Sequence, residues 1–123
     1  MTLRFVLLHH TASPTQADHY DLMLQMREGS SDDEPVFKTF STLADDVPKS
    51  SCLLRPSHDH RKLYLHFEGP ISGGRGKVHR VDEGELTWIQ NQEPLQFRLN
   101  GASLKGEFSI ANEGGIYILR LIN

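Results

Sequence analysis

The sequence predicts a mainly β protein, a small closed or partly open antiparallel β-barrel with short helical turns. Three observations carry this prediction. Apolar residues fall in strand-length segments with almost no helical periodicity. Turn-forming clusters separate those segments, among them Asp82-Glu83-Gly84, Asn100-Gly101 and Asn112-Glu113-Gly114-Gly115. The 123 residues suit one domain over 1–123, and strands at this spacing indicate a barrel or sandwich.

Leu3 to Leu8 is apolar apart from Arg4 and reads as a strand buried on nearly both faces, with His9 and His10 at its end. Thr11 to Asp18 is a polar loop in which Pro14 blocks strand pairing. His19 to Met26 is the second strand. Its alternation puts His19, Asp21, Met23 and Gln25 on one face. A helix over Tyr20 to Arg27 competes, because Leu and Met favour helices, but it would splay His19 and Asp21 by about 200°.

Arg27 to Pro35 is a glycine-, serine- and acid-rich loop, the best candidate for mobility. Val36 to Thr42 alternates around Phe37 and Phe40 and reads as a strand. Leu43 to Ser51 is a connection with room for one helical turn. Cys52 to Leu54 is a short apolar segment, Pro56 to Arg61 is polar, and Leu63 to Phe67 reads as a strand. After the flexible Ser72-Gly73-Gly74-Arg75-Gly76 loop, strands are expected at Lys77 to Val81, Glu85 to Gln90, Leu95 to Asn100, Glu107 to Ala111 and Ile116 to Ile122.

Composition narrows the function classes. No apolar run approaches the roughly 20 residues of a membrane span. The N-terminus lacks the features of a signal peptide, so a cytoplasmic protein with no membrane partner is expected. The single Cys52 cannot form an internal disulfide and is expected as a buried, inert thiol. A net charge of −3 argues against broad non-specific nucleic-acid binding. Basic residues are denser between Arg55 and Arg80, so one positive face can still meet a polyanion.

Three constellations can carry chemistry. The first joins His9 or His10 to His19 and Asp21. Imidazole and carboxylate suit Zn²⁺, Mn²⁺ or Fe²⁺, and same-face residues two apart on a strand lie about 6.5–7 Å apart. Residues i and i+2 can therefore converge on one ion with a ligand from the paired strand. The bland alternative is a set of polar residues at strand ends. Since His9 and His10 face opposite sides, either can be the third ligand.

The second constellation is His58-Asp59-His60 with Tyr64, where a histidine can serve a phosphate ester as acid, hydrogen-bond donor or extra ligand. A solvated polar loop is the alternative. The third is Gly73-Gly74-Arg75-Gly76-Lys77, whose glycines let the backbone approach an anion. It lacks the spacing of a P-loop, and a plain hairpin loop is the alternative.

Taken together, these pieces resemble the 3′-phosphoesterase domain of bacterial DNA ligase D, a family that also occurs as stand-alone proteins. The resemblance rests on Phe5 to His10 followed by His19-Tyr20-Asp21, then Asp59-His60, Tyr64 and Phe67-Glu68-Gly69 at matching offsets. It continues through Gly73 to Val78 and through Gly101, Leu104, Gly106 and Phe108, and covers nearly the whole chain. It implies a small β-barrel with a hollow active site and a divalent metal, preferably manganese with zinc as the other choice. His10, His19 and Asp21 would be ligands, which favours His10 over His9. His60 and Tyr64 would contact the scissile phosphate. The implied activity removes a 3′-terminal ribonucleotide and then the 3′-phosphate from a primer. The implied partner is a nucleic-acid 3′ end or other phosphate ester, with DNA-repair proteins acting in trans.

Two positions depart from the family. An arginine two residues after the aspartate is Met23 here, and a basic residue before the aspartate-histidine pair is Cys52. Losing a bidentate donor weakens the grip on phosphate. Arg55, Arg61, Arg75 and Lys77 are the cations that can substitute. The sequence therefore raises a metal-dependent phosphoesterase, a non-catalytic relative that binds a nucleic-acid end or a protein, and a metal-dependent oxygenase-like enzyme using the same ligand set.

Overall fold

The structure is a computed structural model and describes residues 2–123. Among the described residues nine strands form in chain order: β1 Leu3–Thr11, β2 His19–Gln25, β3 Phe37–Thr42, β4 Ser51–Pro56, β5 Gly69–Pro70, β6 Lys77–Gln90, β7 Leu95–Asn100, β8 Lys105–Glu113 and β9 Ile116–Leu121. One 3-10 turn spans Lys62–Leu65. Hydrogen-bonded neighbours run β1-β2-β3-β4-β9-β8-β7-β6-β5, and β1 also pairs with β6. That last pairing closes eight antiparallel strands into a barrel, with the two residues of β5 added to the outer edge of β6. Closure gives β1 a partner on each side and removes the free edges an open sheet would expose.

Side-chain alternation separates two apolar clusters. Phe5, Leu7, Leu22, Leu24, Phe40, Leu54, Leu86, Phe97, Phe108, Ile110 and Leu119 come from all eight barrel strands and fill the interior. Val6, Leu8, Met23, Phe37 and Val78 point the other way, from β1, β2, β3 and β6 alone. That outer face is covered by the chain between β4 and β6, which contributes Tyr64 and packs Leu65, Phe67 and Ile71 against it. Phe5 to Leu8 are therefore buried on both faces, as their unbroken apolar run predicts.

The covering segment is fixed by backbone hydrogen bonds. Phe37 and His60 exchange both of theirs, at 3.0 and 2.9 Å, and Ser57 N–H donates to Thr39 O. Lys62 N–H and Leu63 N–H donate to Glu34 O and Asp32 O in the acid-rich loop. Glu34 in turn accepts from Arg27 and from Ser30, so the loop expected to be mobile is stapled at both ends.

Four expectations are corrected. Leu63 to Phe67 is not a strand, because its backbone bonds to the 27–35 loop leave it a single 3-10 turn. Lys77 to Val81 and Glu85 to Gln90 are one 14-residue strand that continues through Asp82-Glu83-Gly84. Gly84 is needed there for proximity rather than for turning, since a Cβ would collide with the Asn100 carbonyl on β7. Asp82 points inward and accepts hydrogen bonds from the N–H groups of Ala102, Ser103 and Leu104. The Leu43 to Ser51 connection contains no helical turn. Cys52 is half-buried rather than buried, and burial, then Asp46, pushes its thiol pKa up, which keeps it protonated.

Candidate metal centre

The register of the first hairpin assembles the site. His10 lies directly opposite His19, and Leu8 opposite Asp21, so His10, His19 and Asp21 share the outer face of β1 and β2. Asp21 lies opposite Ser41 on β3. One donor atom from each of His10, His19 and Asp21 lies within 4.8 Å of the others. His19 Nε2 is 3.4 Å from Asp21 Oδ1, and His10 Nδ1 is 3.8 Å from Asp21 Oδ2. His9 faces the opposite side, stacked on Tyr20 at 4.2 Å and hydrogen-bonded to Asp45 at 2.6 Å.

Each imidazole has its second nitrogen committed. His19 Nδ1–H donates to Ala17 O at 2.8 Å, and His10 Nε2–H donates to Arg75 O at 2.8 Å. A carbonyl only accepts, so these bonds fix which nitrogen carries the proton. In the neutral rings the lone pairs of His10 Nδ1 and His19 Nε2 are left toward Asp21, whereas protonated His19 donates from Nε2 to Asp21 instead. Outer hydrogen bonds of this kind orient metal-ligating histidines and raise their basicity. Ser41 Oγ–H donates to Asp21 Oδ1 at 2.6 Å and orients the carboxylate.

The electrostatics follow from the burial of His19 (4% exposed) and Asp21 (3%). Desolvation pushes the Asp21 carboxyl up, but hydrogen bonds from His19 and Ser41 outweigh it and hold the pKa below the usual 3.8. The hydrogen bond to Asp21 raises His19 above the usual 6.5, against the cost of burial. A nearly buried carboxylate beside two oriented imidazoles is a donor set that fits Zn²⁺, Mn²⁺ or Fe²⁺. His10, His19 and Asp21 can hold a metal ion.

Above the triad lies a cleft of about 510 Å³, within the usual range for small-ligand sites. His10, Asp21 and Met23 form part of its lining, with His58, Asp59, His60, Arg61 and Tyr64 from the covering segment and Ser72 and Arg75 from the glycine-rich loop. Ser13, Thr15 and Gln16 line it as well, residues that the sequence marks only as part of a polar loop. Ser41 belongs to no sequence motif, although its place on the alternating face of β3 is a usable signal.

His60 Nδ1–H donates to His58 O at 2.9 Å, and the two rings stack at 4.3 Å. Burial lowers the His60 pKa below 6.5, partly offset by the Asp21 charge, so His60 is neutral at pH 7. Its ring meets Tyr64 edge-on at 5.6 Å.

The four candidate cations separate. Arg61 and Arg75 line the cleft. Arg61 Nη1 lies 3.4 Å from Asp33, and Arg75 Nε–H donates to Ser72 O at 2.8 Å. Arg55 lies opposite Ser41, two strands from Asp21, with its charge felt at His19. Lys77 does not line the cleft. Met23 is 1% exposed and sits in the outer apolar cluster at the cleft floor.

Fold and site together define a closed β-barrel with a candidate metal centre in a cleft on the outside of its wall. No protein-family model and no curated protein matches the chain.

Proposed function

We propose that this protein is a metal-dependent phosphoesterase, a stand-alone relative of the 3′-phosphoesterase domain of DNA ligase D. Its substrate class is a nucleic-acid 3′ end carrying a ribonucleotide or phosphate. The observation that supports this best is the pair of backbone-pinned imidazoles, whose free nitrogens converge on Asp21 beneath a cleft lined by His60, Tyr64, Arg61 and Arg75. His10, His19 and Asp21 hold the metal, and manganese is the expected ion. When bound, such an ion polarises a phosphoryl oxygen and lowers the pKa of water.

The chain's own groups supply the rest. Arg61 and Arg75 attract and orient the anion, and the Tyr64 hydroxyl donates to a non-bridging oxygen. Neutral His60 has its Nε2 lone pair free, because Nδ1 carries the proton given to His58 O. It accepts the proton of an attacking water as the new P–O bond forms. The 3′ oxygen leaves on the opposite side of phosphorus and takes its proton from solvent as the old P–O bond breaks, and His60 releases the water's proton to solvent afterwards.

The test combines metal analysis with turnover. Manganese should co-purify or titrate in with one ion per chain and be lost in Asp21→Ala. Primers ending in a 3′-phosphate or 3′-ribonucleotide should be processed with Mn²⁺ present. Activity surviving Asp21→Ala would overturn the mechanism. One observation favours a second reading, a binding protein on the same barrel: buried Met23 occupies the place of the family's phosphate-gripping arginine. Metal and primer ends bound without any product at high protein concentration would establish that reading instead.

A further inference from the structure

The Ser72 to Gly76 loop reads in the sequence as either an anion-binding turn or a plain connection. Its contacts point to a third role. The Arg75 carbonyl is the acceptor that fixes His10 in the Nε2–H form, at 2.8 Å. His10 and Arg75 are 65 residues apart, so nothing local in β1 supplies this restraint. We infer that this loop is a clasp, which positions His10 for metal through the Arg75 backbone while the Arg75 side chain lines the cleft for the metal's ligand. The metal part of this inference rests on the proposed metal centre.

The clasp is held against the end of β1 at Gly76. Its φ is +93°, a region that L side chains rarely adopt. A Cβ there would collide with the Thr11 carbonyl oxygen and come within 2.9 Å of Ser13 N. Ile71 N–H donates to Gly76 O at 2.8 Å and closes the loop. Arg75 Nε–H donates to Ser72 O inside it. Thr11 pairs with Lys77, so the loop's exit is set on the residue immediately after His10. Any side chain at Gly76 must lift the loop and withdraw the Arg75 carbonyl from His10. Without that acceptor the ring can take either tautomer, and Nδ1 is no longer committed as the ligand atom.

Two variants separate positioning from folding. Gly76→Ala breaks the seat of the clasp. Inserting two glycines between Gly73 and Gly74 loosens it where space is open, since a Cβ at Gly74 meets nothing within 4 Å. Gly114→Ala is the control: it has a similar positive φ of +68° and an equally open setting, in the β8–β9 hairpin. The first readout needs no metal. Long-range ¹H–¹⁵N correlation of the His10 ring should show the Nε2–H form in wild type and Gly114→Ala, and a tautomer mixture in the two loop variants.

The second readout is Mn²⁺ affinity by electron paramagnetic resonance. It should fall about 10–100-fold in Gly76→Ala, and measurably in the insertion, with Gly114→Ala unchanged. If both loop variants keep the Nε2–H form, the clasp is overturned even though wild type binds metal. If wild type binds no metal while the loop variants scramble the tautomer, the metal centre fails and the clasp stands as a restraint on His10 alone. Should Gly76→Ala not fold, the insertion decides through the same two readouts.

Discussion

Asp21 and His19 pull each other's pKa values apart, and this sets how the metal-free protein responds to pH. His19 is raised above 6.5 by its hydrogen bond to Asp21, against burial. Its stabilising contribution is complete below 6.5 and is lost as pH rises through the raised value. Asp21 is held below 3.8 by His19 and Ser41 despite desolvation. Its contribution is present above 3.8 and is lost as pH falls through the depressed value. The metal-free pair therefore stabilises the fold fully only between 3.8 and 6.5. Metal binding needs a neutral His19, so protons compete with metal below the raised pKa. Denaturant midpoints of metal-free protein should fall from pH 6 to pH 8.5, and saturating Mn²⁺ should reverse that trend. Asp21→Asn should flatten it, and an unchanged slope in that variant would show that the pair is not its source. Much of this was legible at the residue scale. The histidine–aspartate spacing on a strand marks His19 and Asp21 as candidate ligands but leaves His9 and His10 both open, while the carbonyls of Ala17 and Arg75 that pin the rings are backbone atoms with no sequence signature.

Strands β1, β2 and β3 carry two kinds of information on one outer face: polar candidate ligands at the His10 end and apolar contacts toward Val6. Alternation made that face readable. It failed for Leu63 to Phe67, where apolar residues pack on the barrel from a 3-10 turn whose partner is the 27–35 loop rather than a sheet neighbour. It also split β6 at Asp82-Glu83-Gly84, because a glycine required by close strand approach looks the same as one required by a turn. The face that resisted prediction also decides the role of Met23, packed with Val6, Val36, Phe37 and Tyr64 yet lining the cleft. Met23→Arg adds a longer, charged side chain to a packed cluster and should cost about 1–3 kcal/mol of stability. Met23 lines the cleft, so the introduced guanidinium has a way out to the proposed phosphate site. Inorganic phosphate affinity measured with Mn²⁺ present should rise, together with a lower melting temperature. A lower melting temperature with no gain in phosphate binding would mean that the guanidinium does not reach the cleft, and Arg61 and Arg75 would remain the relevant cations.

Closure of the barrel is a property of the whole chain, since it depends on β1 meeting β6 some 75 residues later. Strand spacing predicted a barrel or sandwich, but pairings between strands distant in sequence, such as β4 with β9, leave no local trace. Net charge is similarly global. At −3, the molecule as a whole repels a polyanion, and attraction has to come from the few cations around the cleft. Arg61 and Arg75 line it, while Arg80 is engaged with Glu68 and Glu83, and Arg120 with Glu113. Two phosphate contacts on a single strand predict a slope of about −1.4 for log K against log salt, since each contributes about 0.7. A groove-tracking single-strand binder would be several times steeper. Fluorescence-anisotropy titration of a 3′-phosphorylated primer strand over a range of salt concentrations measures this directly. A slope near −1.4 that halves in Arg75→Ala fits recognition of one terminal phosphate environment. A slope steeper than about −3 would require more than about four phosphate contacts, at about 0.7 each. Arg61 and Arg75 cannot supply that many, and recognition confined to the cleft would then be wrong.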